Sequence, residues 1–225
     1  PKTPYEHWRF LDQAEDHGKG EISTCNLGAI NVAMLDIDEK NDVIYEELAY
    51  LSLKMIDKTI LLSEFPFKHL NYTSRQRMNA GVGIMGLATL MARNNVKYAS
   101  REGLELIHKV AERHMYYLIK ASIKISKERG LAPWIHKTKW PEGWIPLDTY
   151  KREVDSLGDF TYRFDWEALR QEIIDNGGIG HSCLMALMPG ESSSKGLGVV
   201  MSFCFRIHFN CFSLCFRIRF IRHLW

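Results

Sequence analysis

The chain has 225 residues, 46% of them hydrophobic and 25% charged, which is long enough for one sizeable core and typical of a soluble globular protein. Five cysteines, an odd number at this length, exclude a secreted disulfide scaffold; no apolar stretch reaches membrane-spanning length, and Pro1-Lys2-Thr3-Pro4 opens no signal peptide. The formal net charge of +2 joins two unlike parts: residues 1–195 carry all 27 acids against 25 Lys and Arg, and the last thirty residues carry four Arg and no acid. The expectation is a cytoplasmic protein in a reducing compartment, with neither membrane nor DNA as partner. A chain that opens on Pro instead of Met is also expected to be a fragment or a processed product.

Residues 1–20 read as a polar connection with aromatic anchors Tyr5, Trp8 and Phe10, closed by the turn signal His17-Gly18-Lys19-Gly20. The next stretch, Gly20 to Met34, holds Cys25, the only cysteine of the first 180 residues, on a short β-branched approach ending in the turn-prone Asn26-Leu27-Gly28. A thiol where a strand hands over to a loop or helix suits a reacting group; the alternative is a small, inert core residue. Lys40-Asn41-Asp42 predicts a turn. Tyr45 to Leu62 then predicts an amphipathic helix with Leu48, Leu51, Met55, Ile56 and Ile60 in phase and Glu46 and Glu47 in its first turn.

Glu64-Phe65-Pro66-Phe67 breaks that pattern, and the basic Arg75 and Arg77 lead to Gly81-Val82-Gly83-Ile84-Met85-Gly86 and a helical Leu87 to Asn94. A long helix runs from a Ser100 cap to a Gly130 stop, with Leu104, Ile107, Ala111, Met115, Leu118, Ser122 and Ile125 on one face. Residues 131–164 are loop-rich, with a short helix near Asp148 to Val154. A helix capped by Asp165 ends at Asn176-Gly177-Gly178, and His181 to Met188 reads as a buried strand. Strands alternating with helices over long connections predict an α/β architecture. In the tail, Phe203, Phe205, Ile207 and Phe209 alternate with Cys204, Arg206, His208 and Asn210, and Cys-Phe-Arg-Ile occurs at 204–207 and 215–218. A pair of strands is one reading; the favoured one is a foreign, non-native segment over 196–225 that is prone to aggregate.

Three stretches invite chemistry. Gly81 to Gly86 matches the GxGxxG dinucleotide fingerprint, but the residues before it, Thr73 to Ala80, are polar and basic where a hydrophobic strand is needed, so a glycine-rich helix packing closely on a neighbour is the better reading. Met188-Pro189-Gly190-Glu191-Ser192-Ser193-Ser194 follows the predicted strand and offers backbone N–H groups and hydroxyls to a phosphate, against the plainer reading of a serine-capped helix start. Cys25 needs a second thiol within disulfide reach for redox chemistry, and Cys183 is the other cysteine of the main body; whether the two meet is left open.

Five runs, in order and spacing, resemble the catalytic large subunit of class I ribonucleotide reductase of the phage and bacterial aerobic type. They are Glu21 to Asn31, Gly81 to Ala88 after a basic segment, Pro146 to Lys151, Asp165 to Arg170, and Ala186 to Pro189 with Glu191-Ser192-Ser193. The resemblance covers residues 1 to about 195 and implies part of the family's ten-stranded α/β barrel, incomplete here. It implies that Cys25 is the second cysteine of the redox pair that delivers electrons to the ribose and ends as a disulfide, its partner lying upstream of this chain. Pro189, Gly190, Glu191, Ser192 and Ser193 would hold the substrate diphosphate, with Gly190 in place of a more usual serine. No metal and no directly bound cofactor are expected.

The resemblance further implies reduction of ribonucleoside diphosphates to deoxyribonucleoside diphosphates, with a small subunit carrying a diiron centre and tyrosyl radical, thioredoxin or glutaredoxin as reductant, and ATP and deoxynucleoside triphosphates as allosteric effectors. The radical cysteine's Asn-x-Cys-x-Glu motif is expected just before Pro1. The chain is therefore expected to be the middle-to-late barrel of a split or interrupted reductase, complemented by a separate N-terminal chain, its tail translated intron or insertion sequence. The alternative is an inactive or structural fragment with exposed strand edges.

Overall fold

A pair of parallel strands is the frame on which the helices are laid. The computed structural model describes residues 22, 24, 26–65 and 68–199; the expectations for residues 1–20, for Cys25 and for most of the tail lie outside them. Strand β1 (Asn26–Asn31) pairs with β2 (Ala80–Met85), Asn26 opposite Ala80 and Asn31 opposite Met85. Parallel neighbours need a crossover, and helices α1 (Glu39–Leu62) and α2 (Lys68–Arg77) supply it. Helices α3 (Leu87–Arg93), α4 (Arg101–Arg129), α5 (Trp166–Asp175) and α6 (Glu191–Gly196) follow, with four 3-10 turns between Ile135 and Leu157. Along the other edge of β2, Ala80 N donates to Cys183 O at 3.1 Å and Val82 N to Leu184 O at 2.9 Å, and Val82 bridges Met185 in parallel. The predicted strand over 181–188 is thus a short β-like contact ending near Met185.

The structure departs from the sequence reading at three places, through tertiary pairing at the two strands and through a local cap at α1. The turn expected at Asn26-Leu27-Gly28 is the start of β1, and a Cβ on Gly28 would stand 3.2 Å from Ile56 Cδ1, so this glycine admits α1. The turn expected at Lys40-Asn41-Asp42 is the first turn of α1, because Asp38 accepts from Asn41 N at 2.7 Å and caps the helix before it. The glycine-rich run expected to open a helix is β2, and only after Gly86, at φ 77°, does α3 begin. α1 also lies turned from its predicted phase. Tyr45, Ala49, Leu53, Ile56, Asp57 and Ile60 are buried, whereas Leu51 is 47% and Met55 71% exposed.

The long helix is as its sequence predicts. Ser100 Oγ accepts from Gly103 N at 3.1 Å, Gly130 at φ 95° ends it, and the 29 residues between span about 43 Å at 1.5 Å each. Its face from Ile107 to Ile125 packs with Leu53, Ile60, Val82 and Leu90 in one core. Two buried charges at its middle organise the loops on either side. Arg113 donates to the carbonyls of Leu35 and Asp36 at 2.7 and 2.8 Å and lies over the Tyr45 ring. Glu112 accepts from Arg163 N at 2.8 Å and from Trp166 Nε1 at 3.1 Å. The helix expected near Asp148 to Val154 is instead two 3-10 turns, Pro146–Thr149 and Arg152–Leu157.

Candidate functional site

Side chains alternate across a strand, and the alternation sorts this sheet into two faces. Asn26, Gly28 and Ile30 pair with Ala80, Val82 and Ile84; of these, Ile30, Ala80 and Val82 belong to the helix-packed core. Leu27, Ala29 and Asn31 pair with Gly81, Gly83 and Met85 on the other face. There a Cβ on Gly83 would stand 2.6 Å from Ala186 O and 3.4 Å from Met188 N. The chain that leaves the edge of β2 at Met185 therefore crosses this face against bare backbone. The crossing requires glycine at position 83, and it delivers the run predicted to hold a phosphate.

That run follows directly. Pro189, Glu191, Ser192 and Ser193 are exposed, and Gly190 is buried as the N-cap of α6 with no side-chain cap bond. The first N–H groups of a helix have no intrahelical acceptor, so the backbone of 191–193 is chemically suited to an anion. Ser194 Oγ donates to Glu191 O at 2.9 Å inside the turn, and on its surface Lys195 Nζ pairs with Glu191 Oε1 at 2.9 Å. The structure thus keeps Ser192 and Ser193 on the surface and turns Ser194 inward.

Cys25 lies outside the described residues. Of its neighbours, Thr24 Oγ1 is 2.6 Å from Ser74 Oγ, and Asn26 opens β1. Cys183 is half-buried beside Ala80. Two of the sequence runs that resemble the reductase prove to clasp one another: Arg170 holds Asp148 through two parallel bonds of 2.8 and 2.9 Å, while Asp148 Oδ2 also accepts from Ile145 N at 2.8 Å.

The sequence reading missed a polar group in which half-buried Arg129 joins the buried Asp57, Ser122 and His181. Asp57 accepts from Arg129 Nε at 2.6 Å, and His181 Nδ1 meets Ser122 Oγ at 2.9 Å. Burial pushes the His181 imidazole below its usual range, against the pull of Asp57. Burial acts to raise the Asp57 carboxyl, but the bonds from His181 and Arg129 outweigh it and hold the group low. One sequence signal was available: Asp57 falls in phase with the apolar Leu53, Ile56 and Ile60. Among the described residues no group of three or more His, Cys, Asp or Glu is gathered as for a metal ion, and no helix is long and apolar enough to cross a membrane.

The family model of the ribonucleotide reductase barrel domain matches residues 6–205. A ribonucleoside-diphosphate reductase subunit alpha from Haemophilus influenzae is 36% identical over 176 residues, 78% of this chain and 23% of that protein. The subunit of the same name from Buchnera aphidicola subsp. Schizaphis graminum is 33% identical over 180 residues, 80% of this chain and 23% of its own. That of Enterobacteria phage T4 is 34% identical over 175 residues, 78% of this chain and 22% of its own. The chain spans less than a quarter of the length of these relatives. With the family model covering most of its length and relatives more than 30% identical over over three quarters of it, the chain belongs to the ribonucleotide reductase family, within the α/β barrel domain of the alpha subunit.

Proposed function

We propose that this chain supplies the substrate-phosphate loop and one redox thiol of a ribonucleoside-diphosphate reductase, within a ten-stranded barrel completed by other chain. The observation that supports the reading is the crossing at Gly83, where Ala186 and Met188 pass against the sheet directly before Pro189, Gly190, Glu191, Ser192 and Ser193. The loop would hold a ribonucleoside diphosphate by its phosphates, and Cys25, as the resemblance implies, would supply a thiol for reduction of its ribose. Exchange of the 2′-hydroxyl for hydrogen then takes two electrons and two protons from a dithiol, leaving a disulfide and water. The second thiol belongs to the upstream part of the enzyme.

The partners are those the family resemblance implies: a small subunit with a diiron centre and tyrosyl radical to supply the radical, and thioredoxin or glutaredoxin to restore the dithiol. ATP and deoxynucleoside triphosphates act as effectors on other parts of the enzyme, in the cytoplasm. The test combines this chain with the upstream portion and the small subunit and measures deoxynucleotide formation. Cys25→Ser should abolish thioredoxin-driven turnover, and Ser192→Ala with Ser193→Ala should raise KM for the diphosphate by about tenfold, near 1.4 kcal/mol. Undiminished thioredoxin-driven turnover by Cys25→Ser would end the redox assignment. A second reading, a complementing or inactive fragment, is favoured by β1, which among the described residues pairs only with β2. Turnover by this chain with the small subunit alone would overturn it.

A further inference from the structure

The segment before the loop is held at almost every residue. Gly178 N bonds Ile173 O, Gly180 N bonds Ser122 O, Ser182 N bonds Arg77 O, and the carbonyls of Ser182, Cys183 and Leu184 are taken by Trp140, Ala80 and Val82. Arg129 Nη2 donates to Gly180 O at 2.7 Å. Within this ladder, His181 uses its side chain to reach two helices at once. Its Nδ1 lies 2.9 Å from Ser122 Oγ on α4, and its Nε2 faces Asp57 Oδ1 on α1 at 3.2 Å. All three side chains are sealed from solvent.

Asp57 Oδ1 lies 3.2 Å from Nε2 outside hydrogen-bond geometry; a carboxylate at that distance favours the hydrogen on Nε2, and Nδ1 then accepts the hydroxyl hydrogen of Ser122. The order Asp, His, Ser resembles a hydrolytic triad, but Ser122 sits fully buried in mid-helix, where no substrate reaches it. The group is instead a brace between α1, α4 and the chain that leads to the loop. Arg129 completes it, since its guanidinium ties Asp57 to Gly180, the residue before His181.

We propose that His181 is a positioning residue for the phosphate loop: the Asp57–His181–Ser122 brace sets the height at which residues 183–188 pass β2 and Gly83, and so where Pro189 to Ser193 are held. The inference rests on the reading of 189–193 as a phosphate site. His181 stands eight residues before Pro189 and acts through the intervening backbone. Loss of its side chain removes the direct contact of this segment with Asp57 and Ser122, while the tie through Arg129 from Asp57 to Gly180 O remains. The backbone bonds of 182–184 to β2 and Arg77 remain, so the segment stays paired while its exit shifts.

The test uses the 225-residue chain with inorganic pyrophosphate as probe, following hydrogen exchange of the 187–196 amides and urea unfolding in parallel. In wild type, pyrophosphate should slow exchange of these amides. His181→Ala should raise the pyrophosphate concentration needed for half-protection about tenfold, and His181→Gln, whose amide still reaches toward Asp57, should restore it to within about threefold. Half-protection in His181→Ala at the wild-type concentration overturns the proposal, as does a Gln variant no better than Ala at equal unfolding stability. Should His181→Ala not fold, Ser122→Ala decides, with the same shift expected and its absence fatal. If pyrophosphate protects nothing in wild type, the phosphate reading fails separately. Positioning is then judged without ligand: His181→Ala must speed exchange at 186–190 about tenfold while α4 stays unchanged, and unaltered exchange refutes it.

Discussion

Gly83→Ala is the most direct perturbation of the loop's delivery. The added Cβ would stand 2.6 Å from Ala186 O, a backbone atom that cannot rotate away, and ordinary contact begins at 3.4 Å. The crossing chain must therefore lift by about 0.8 Å, and overpacking of this kind destabilises by about 1–3 kcal/mol. If the lift also stretches the bond from Val82 N to Leu184 O, now 2.9 Å, about 1 kcal/mol more is lost. The expected loss is about 2–4 kcal/mol, a fall in Tm of about 10 °C for a chain of this size. Urea unfolding measures it against Gly196→Ala, where no atom lies within 4 Å of the new methyl and stability should stay within about 0.5 kcal/mol. Exchange of the 187–193 amides should rise in Gly83→Ala alone. A Gly83→Ala chain as stable as the control, with unaltered exchange, would falsify the crossing as the reason for glycine.

Two further outcomes concern stability. Burial pushes His114 from 6.5 down to about 4, and its bonds assign the neutral form: Nε2 donates to Val82 O at 2.9 Å and Nδ1 accepts from Tyr45 at 2.7 Å. Because the folded value lies below the unfolded one, this contribution is full above pH 6.5 and is lost as pH falls toward 4, about 3 kcal/mol in all. His108, also lowered to about 4 by burial, acts in the same direction. Unfolding free energies that stay level between pH 7 and 5 would contradict this. Ser100→Ala should destabilise by about 1 kcal/mol through loss of the α4 cap, while Ser100→Gly should lose only a few tenths, and equal effects in urea unfolding would exclude capping as the cause.

The long helix was legible because its signals are local and agree: a cap, a sustained period and a glycine stop. α1 was legible as a helix, but its phase was misjudged, since Leu51 and Met55 are as apolar as Leu53 and Ile60 and only α4 and β1 decide which side is buried. The strands were the least legible. Asn26-Leu27-Gly28 and Gly81 to Gly86 are rich in turn formers, and they become strands because each completes the other across the helical crossover. The surface turn at 189–193 rests on local residue types, whereas the brace joins positions 57, 122 and 181, a proximity that no local pattern encodes.

The parallel sheet also dictates an order of assembly. Asn26 meets Ala80 across 54 positions of chain, and Val82 meets Met185 across 103. Contacts this distant carry a loop-closure penalty before they return any stabilisation, so they form slowly and late. During synthesis α1 and α4 can be complete while β2 still lacks its second neighbour, leaving Ala80 and Val82 as an open edge until residues 183–185 emerge. The loop that follows them is therefore among the last parts to take its place, and lesions at the 183–185 contact should show first as poor yield of soluble chain, before any effect on chemistry.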